Sequence, residues 1–205
     1  MKKEFEDSIN VEFSVSFGER HTDNEGMYDY RNDYDGDIVR EYPRYEEDSI
    51  SIGSIEITQL LLGQAREDGF STYELIDSDT QIYDAVAHIW DFGESDFIEA
   101  LLEDNFHQSI IVIKDIKIFP QYRGKGYGER ALLEVVRRFA WMGVIVLKAF
   151  PKQLEPKDFW EKEMKLELME QDKRKAKAKL YKLYRKCGFK HTKGVPKEIM
   201  TIVKM

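Results

Sequence analysis

Apolar residues along this 205-residue chain fall into two rhythms. Alternation marks strands: Phe5, Ile9, Val11, Phe13, Val15 and Phe17 over residues 5–17, then Ile50, Ile52, Ile55 and Ile57 within residues 49–62. The polar residues 18–48, rich in Asp and Tyr, read as a long loop or hairpin excursion, and residues 64–69 as a turn. Ser71 stands three residues before Glu74, the spacing of a capping box. A helical rhythm follows at Ile82, Val86, Ile89, Trp90, Phe97, Ile98, Leu101 and Leu102, with Gly93 separating two helices. Residues 109–119 and 144–150 are continuous apolar runs and read as buried strands. Between them Leu132, Val135, Val136 and Phe139 recur at i, i+3, i+4 and i+7, a helix over 127–141 ended by Gly143. Strand, helix and strand in this order predict a parallel pair joined by a right-handed crossover. From Pro156, favourable at the first helical position, a charged helical region runs to Lys186, with Trp160, Met164, Leu168, Leu180, Leu183 and Tyr184 on apolar faces. Gly188 suits its end. Residues 189–192 and 198–204 read as a closing hairpin. The class is mixed α/β, in a single domain spanning 1–205.

Composition narrows the setting. With 42% apolar residues the chain can bury a core, and no apolar run approaches the roughly 18 residues of a membrane span. Residues 1–7 lack the apolar segment of a signal peptide, and the single cysteine, Cys187, cannot close an internal disulfide. A cytoplasmic protein is expected, with no membrane partner, as a monomer or homodimer. The net charge of −8 is uneven: residues 1–151 carry 31 acidic against 15 basic side chains, and residues 152–205 carry 8 against 16. The acidic part disfavours nucleic acid and favours a cationic partner.

The chemistry concentrates at residues 120–128, Pro-Gln-Tyr-Arg-Gly-Lys-Gly-Tyr-Gly. A strand passing through glycines into a helix makes an anion cradle. The first helical N–H groups lack intrahelical partners, the dipole is positive there, and glycine lets an anion approach the main chain. Arg123 and Lys125 add positive charge. Gly124-Lys125-Gly126-Tyr127-Gly128 has neither the spacing of a Walker A loop nor that of a dinucleotide fingerprint.

Read as Gln-x-x-Gly-x-Gly, residues Gln121, Gly124 and Gly126 resemble the acyl-CoA pyrophosphate loop of the GNAT superfamily of N-acetyltransferases. A second stretch, Leu183-Tyr-Arg-Lys-Cys-Gly-Phe189, resembles the motif that ends the family's last main helix. The resemblance covers about residues 110–192. It implies the GNAT fold: a twisted, mostly antiparallel sheet with a central parallel pair and helices on both faces. Here an extended helical insertion, about residues 152–179, would precede the last main helix, as a solvated helix or as a lid or partner surface. Pro151 to Leu154 replace an asparagine frequent in the family.

By the same resemblance the donor is acetyl-CoA, with no metal, and the acceptor is a small-molecule or peptide amine. The turn from Gln121 to Gly128, including Arg123, Gly124, Lys125, Gly126 and Tyr127, would hold the pyrophosphate. Main-chain groups of Ile116, Lys117 and Ile118 would hold the pantetheine arm. Tyr184 would protonate or hydrogen-bond the leaving thiolate. The general base is Asp115, directly or through water, with Glu56 the alternative. A protein N-terminal or lysine acetyltransferase, and a CoA-binding module without transfer activity, are the other readings.

His88 and His107 are isolated and read as structural. Asp33-Tyr-Asp-Gly-Asp37 lacks the glycine register and terminal Glu of a calcium loop. Cys187 has no visible base to activate it and reads as packing in the Gly-Phe corner.

Overall fold

A computed structural model describes residues 8–17, 26–41, 49–102, 108–156 and 162–203. Six strands form one sheet: β1 (Ser8–Phe17), β2 (Arg31–Glu41), β3 (Ile50–Leu60), β6 (Ile110–Ile118), β7 (Val144–Lys148) and β8 (Ile199–Ile202), side by side in that order. Every neighbouring pair is antiparallel except β6 and β7, which run parallel through the crossover helix α5 (Tyr127–Phe139). Two short strands, β4 (Trp90–Asp91) and β5 (Asp96–Phe97), pair separately.

Alternation along the strands sends side chains into two apolar layers. Ile55, Ile57, Ile111, Ile113, Ile145 and Leu147 face α5 and α6 (Lys173–Lys186). Leu60, Ile110, Val112, Val144 and Val146 face α1 (Leu62–Glu67), α2 (Thr72–Asp77), α3 (Thr80–Val86) and α4 (Glu99–Leu102). The apolar stripe of α5, Leu132, Val135 and Phe139, is buried as its spacing requires. Its polar side is tied to β1: Arg138 bonds Glu134 and also reaches Asn10 Oδ1 at 2.7 Å. Among the described residues no helix is long and apolar enough to cross a membrane.

Several elements differ from the sequence expectation. Residues 31–41, within the expected loop or hairpin excursion, form a full strand of the sheet. Its polar residues are held by pairing: Arg31 meets Asp33 at 2.8 Å and Asp79 at 3.6 Å, and Thr58 donates to Asp33. Residues 62–67, within the expected second strand and turn, are helical because Leu62 and Ala65 find the core. Ser71 caps α2 as expected, accepting from the Glu74 N–H, and Asp79 begins a new helix by accepting from Gln81 and Ile82. At Gly93 a hairpin turn replaces the expected helix junction: the Asp91 carboxylate accepts from the Gly93 and Glu94 amides, a turn that competes with helix. The expected C-terminal hairpin is a bridge between Lys190 and Thr201, with β8 completing the sheet.

Gly53 faces the entrance of β6 into the glycine turn. A Cβ there would lie 2.0 Å from the Lys117 carbonyl oxygen, so two backbones meet where a side chain cannot fit. Gly53→Ala is expected to cost about 1–3 kcal/mol or more through forced displacement of β6. Urea unfolding monitored by circular dichroism measures that loss.

Candidate active site

The parallel pair opens into a cleft. β6 and β7 are registered from Ile110 with Val144 to Ile113 with Leu147, and there their ladder stops. On its other side β6 shifts register against β3: Ile113 pairs with Ile57 but Asp115 with Glu56, leaving Lys114 as an extra residue. Such a bulge bends and twists a strand. Beyond it, Asp115 to Ile118 line a cleft of about 790 Å³ bounded also by the glycine turn, the first turn of α5, the end of β7 and α6. On that side β6 has no ladder partner among the described strands beyond Ile113, and its residues Asp115–Ile118 border the cavity.

The glycine turn forms the mouth. Gly124 and Gly126 have φ of +76° and +80°, which glycine adopts without strain, and a Cβ at either would meet nothing within 4 Å. Gly126 is the N-cap of α5, and no side chain among the described residues caps that helix. The N–H groups of its first turn therefore point at open space beside the cleft. Arg123 donates from Nε to the Ile118 carbonyl at 2.9 Å, fastening the turn to the end of β6. Glu129, in the same first turn, would oppose an anion, but Lys186 of α6 meets it at 2.9 Å. Of the described charged residues lining the cleft, six are basic (Lys114, Lys117, Arg123, Lys148, Lys152 and Lys179) and three acidic, although Lys114 and Lys148 extend their ammonium groups to Asp33, Asp79 and Asp84, which lie outside the lining. That balance suits a polyanionic ligand, although the chain as a whole is acidic.

Tyr184 forms part of the inner wall. The end of α6 explains its position. Gly188, at φ +96°, turns the chain out of the helix; its N–H bonds the Arg185 carbonyl, and the Phe189 N–H returns to Tyr184. These are the bonds of a Schellman C-cap. Phe189 thereby packs against the Tyr184 ring, edge to face at 5.8 Å. Burial, then the charge of Asp115, pushes the Tyr184 phenol well above its usual range. It stays protonated at neutral pH and so carries a proton that a hydrogen bond can use.

Asp115 lies in the same cleft, 7% exposed. Its carboxylate is held by Lys117 Nζ at 3.2 Å and by Lys152 Nζ. Glu56, opposite it in register, reaches Lys117 at 3.8 Å and is more open, with 40% of its side chain exposed. Lys114 leaves this cluster for Asp33 and Asp79 on the opposite layer.

The fold therefore gathers Asp115, Ile116, Lys117, Ile118, Arg123, Gly124, Gly126, Tyr127, Gly128 and Tyr184 around one cavity. Two expected ligands lie outside that lining. Gln121 is exposed, and Lys125 extends over the Tyr122 ring at 5.8 Å. Asp33, on β2 where an acidic loop was expected, is occupied by Arg31, Thr58 and Lys114. His88 lies outside the cleft lining, and His107 falls outside the described residues.

Sequence reasoning left the insertion as a solvated helix or as a lid or partner surface, and missed its local structure. Its described residues before 173 form three short 3-10 turns, Lys152–Leu154, Lys162–Met164 and Leu166–Leu168, where an extended helix was expected. Lys165 adopts a left-handed φ of 44°, and Asp172 starts α6 by accepting from the Lys175 N–H. Met164, Leu166 and Leu168 line the cleft, the first two buried and Leu168 74% exposed. Trp160 lies outside the described residues. The apolar pair two residues apart was the available signal; the helical spacing of Trp160, Met164 and Leu168 obscured it.

Cys187 is buried, and its thiol is pushed up to about 11 by burial and the charge of Glu129. The native thiol is expected to react with iodoacetamide at pH 8 about 100-fold or more slowly than an unfolded one. Timed alkylation with and without urea measures the ratio.

No protein-family model, curated protein or solved structure matches this chain.

Proposed function

We propose that this chain is an acyltransferase of the GNAT type. In particular, we infer that it moves an acetyl group from acetyl-CoA to a primary amine within a ternary complex. One observation carries the reading. The uncapped, glycine-preceded N-terminus of α5 sits at the mouth of a cleft between parted parallel strands, and a buried protonated tyrosine lines its inner wall. The sheet order with a single parallel pair, and the basic lining, support it further.

In this reading the α5 amides and the turn from Arg123 to Gly128 bind the pyrophosphate. The stretch of β6 at Ile116–Ile118 that lines the cleft takes the pantetheine arm, and Met164 and Leu166 shield it from water. Asp115, directly or through water, receives a proton from the acceptor ammonium. Thiols titrate near ~8.5, below a tyrosine whose pKa is raised, so full transfer from Tyr184 to sulfur is uphill. Tyr184 instead donates a hydrogen bond to the departing thiolate and lowers its energy in place.

A second reading has its own support. Asp115 is already neutralised by two lysines, which suits a module that binds CoA without transferring from it. Acetyl-CoA turnover over a panel of amines, peptides included, separates the two. Release of CoA that depends on an amine and falls in Tyr184→Phe supports the transferase. Binding of CoA with no turnover for any amine supports the module.

A further inference from the structure

We propose that Lys152 is itself an acyl acceptor, so that the cleft acetylates its own chain; this inference rests on the transferase reading above. Lys152 opens the turn that follows β7, and its Nζ donates to Asp115 Oδ2 inside the cleft. An ammonium on a buried carboxylate, beside the tyrosine that receives the leaving group, is the arrangement from which amine acylation starts. The turn is anchored, since Gln153 is 6% exposed and donates from Nε2 to the Glu170 carbonyl at 3.1 Å. Lys152 is therefore held at the site by both ends.

The other described lysines lining the cleft are engaged differently. Lys114 meets Asp33 and Asp79, Lys148 meets Asp84 at 2.6 Å, and Lys179 meets Glu170 at 3.4 Å. Lys117 shares Asp115 but also meets Glu56, and its side chain is 17% exposed against 37% for Lys152. Lys152 alone in this set combines the Asp115 contact with room to turn.

The step balances with an acyl-CoA thioester as donor. The Lys152 ammonium gives one proton to Asp115, which passes it to solvent. The freed amine attacks the thioester carbonyl, a C–N bond forms and the C–S bond breaks. Sulfur leaves with the electron pair, held by the Tyr184 hydroxyl, and takes the second nitrogen proton through water. The products are N-acetyl-Lys152 and free CoA. External amines compete with Lys152 for Asp115.

The test incubates the whole chain with acetyl-CoA at neutral pH and follows each lysine by peptide mass spectrometry, with CoA binding measured separately by calorimetry. Lys152 is expected to acetylate about tenfold or more faster than the exposed Lys165 and Lys193, at a rate independent of protein concentration. Tyr184→Phe is expected to slow Lys152 without slowing Lys165 or Lys193. Lys152→Arg keeps the ion pair and is expected to abolish this fast phase. If CoA binds but Lys152 reacts no faster than Lys165 and Lys193, or reacts at a rate rising with protein concentration, self-transfer is overturned and the transferase reading stands. Failure of CoA to bind overturns both.

Discussion

Replacing Tyr184 with Phe is expected to lower kcat for amine acetylation about 100-fold while leaving KM for acetyl-CoA nearly unchanged. In the proposed mechanism the hydroxyl meets the sulfur only as the C–S bond breaks, so its loss would fall on the transition state. The ring stays, and with it the packing on Phe189 that fixes the end of α6. Burial and Asp115 raise the phenol's pKa, so the hydroxyl remains protonated at neutral pH and through the mildly alkaline range. An alkaline fall in rate at moderate pH would therefore belong to another group, and Tyr184→Phe is expected to leave that part of the profile where it was. Steady-state kinetics across pH, with circular dichroism to show that the fold persists, checks both statements.

Gly126→Asp is expected to weaken CoA binding about 100-fold or more. Aspartate tolerates the left-handed backbone better than most residues, and the space around its Cβ is open, so the variant should fold. Its carboxylate, however, stands at the α5 N-terminus and can cap the amides of the proposed phosphate site. Charge-assisted hydrogen bonds contribute about 1.5–3 kcal/mol each, and losing two of them to a competing anion corresponds to at least that drop in affinity. A thermal melt close to that of the native chain, together with a flat calorimetric titration, is the expected pair of results. Unaltered binding would place the phosphate site elsewhere.

Legibility in the sequence followed burial and local chemistry. β6, α5 and β7 declared themselves because their side chains are apolar in uninterrupted runs or at helical spacing. The α6 terminus was legible through Gly188 and Phe189, whose C-cap is a local motif. β2 was hidden because its polar residues are satisfied by partners distant in sequence, Asp33 by Thr58 and Lys114. The hairpin at Gly93 was hidden because a side chain, Asp91, makes the turn. Within the cleft, the glycine turn was legible as an anion cradle from its own residues, whereas Tyr184 stood out only through the resemblance of its motif to a family's. The pairing of Asp115 with Lys152 was not legible, because 37 positions separate them and only the ends of two parallel strands bring them together. The insertion was misread for a related reason: its apolar residues fit a helical period that the left-handed Lys165 breaks.

The central claim is that the cleft between β6 and β7 binds coenzyme A through the glycine turn. Calorimetric titration of the native chain with coenzyme A tests it most directly. The expected result is one site per chain, with a Kd within about 1 μM–1 mM and an affinity that weakens as salt is raised. Absence of heat and of any protection against thermal unfolding at millimolar coenzyme A would contradict it.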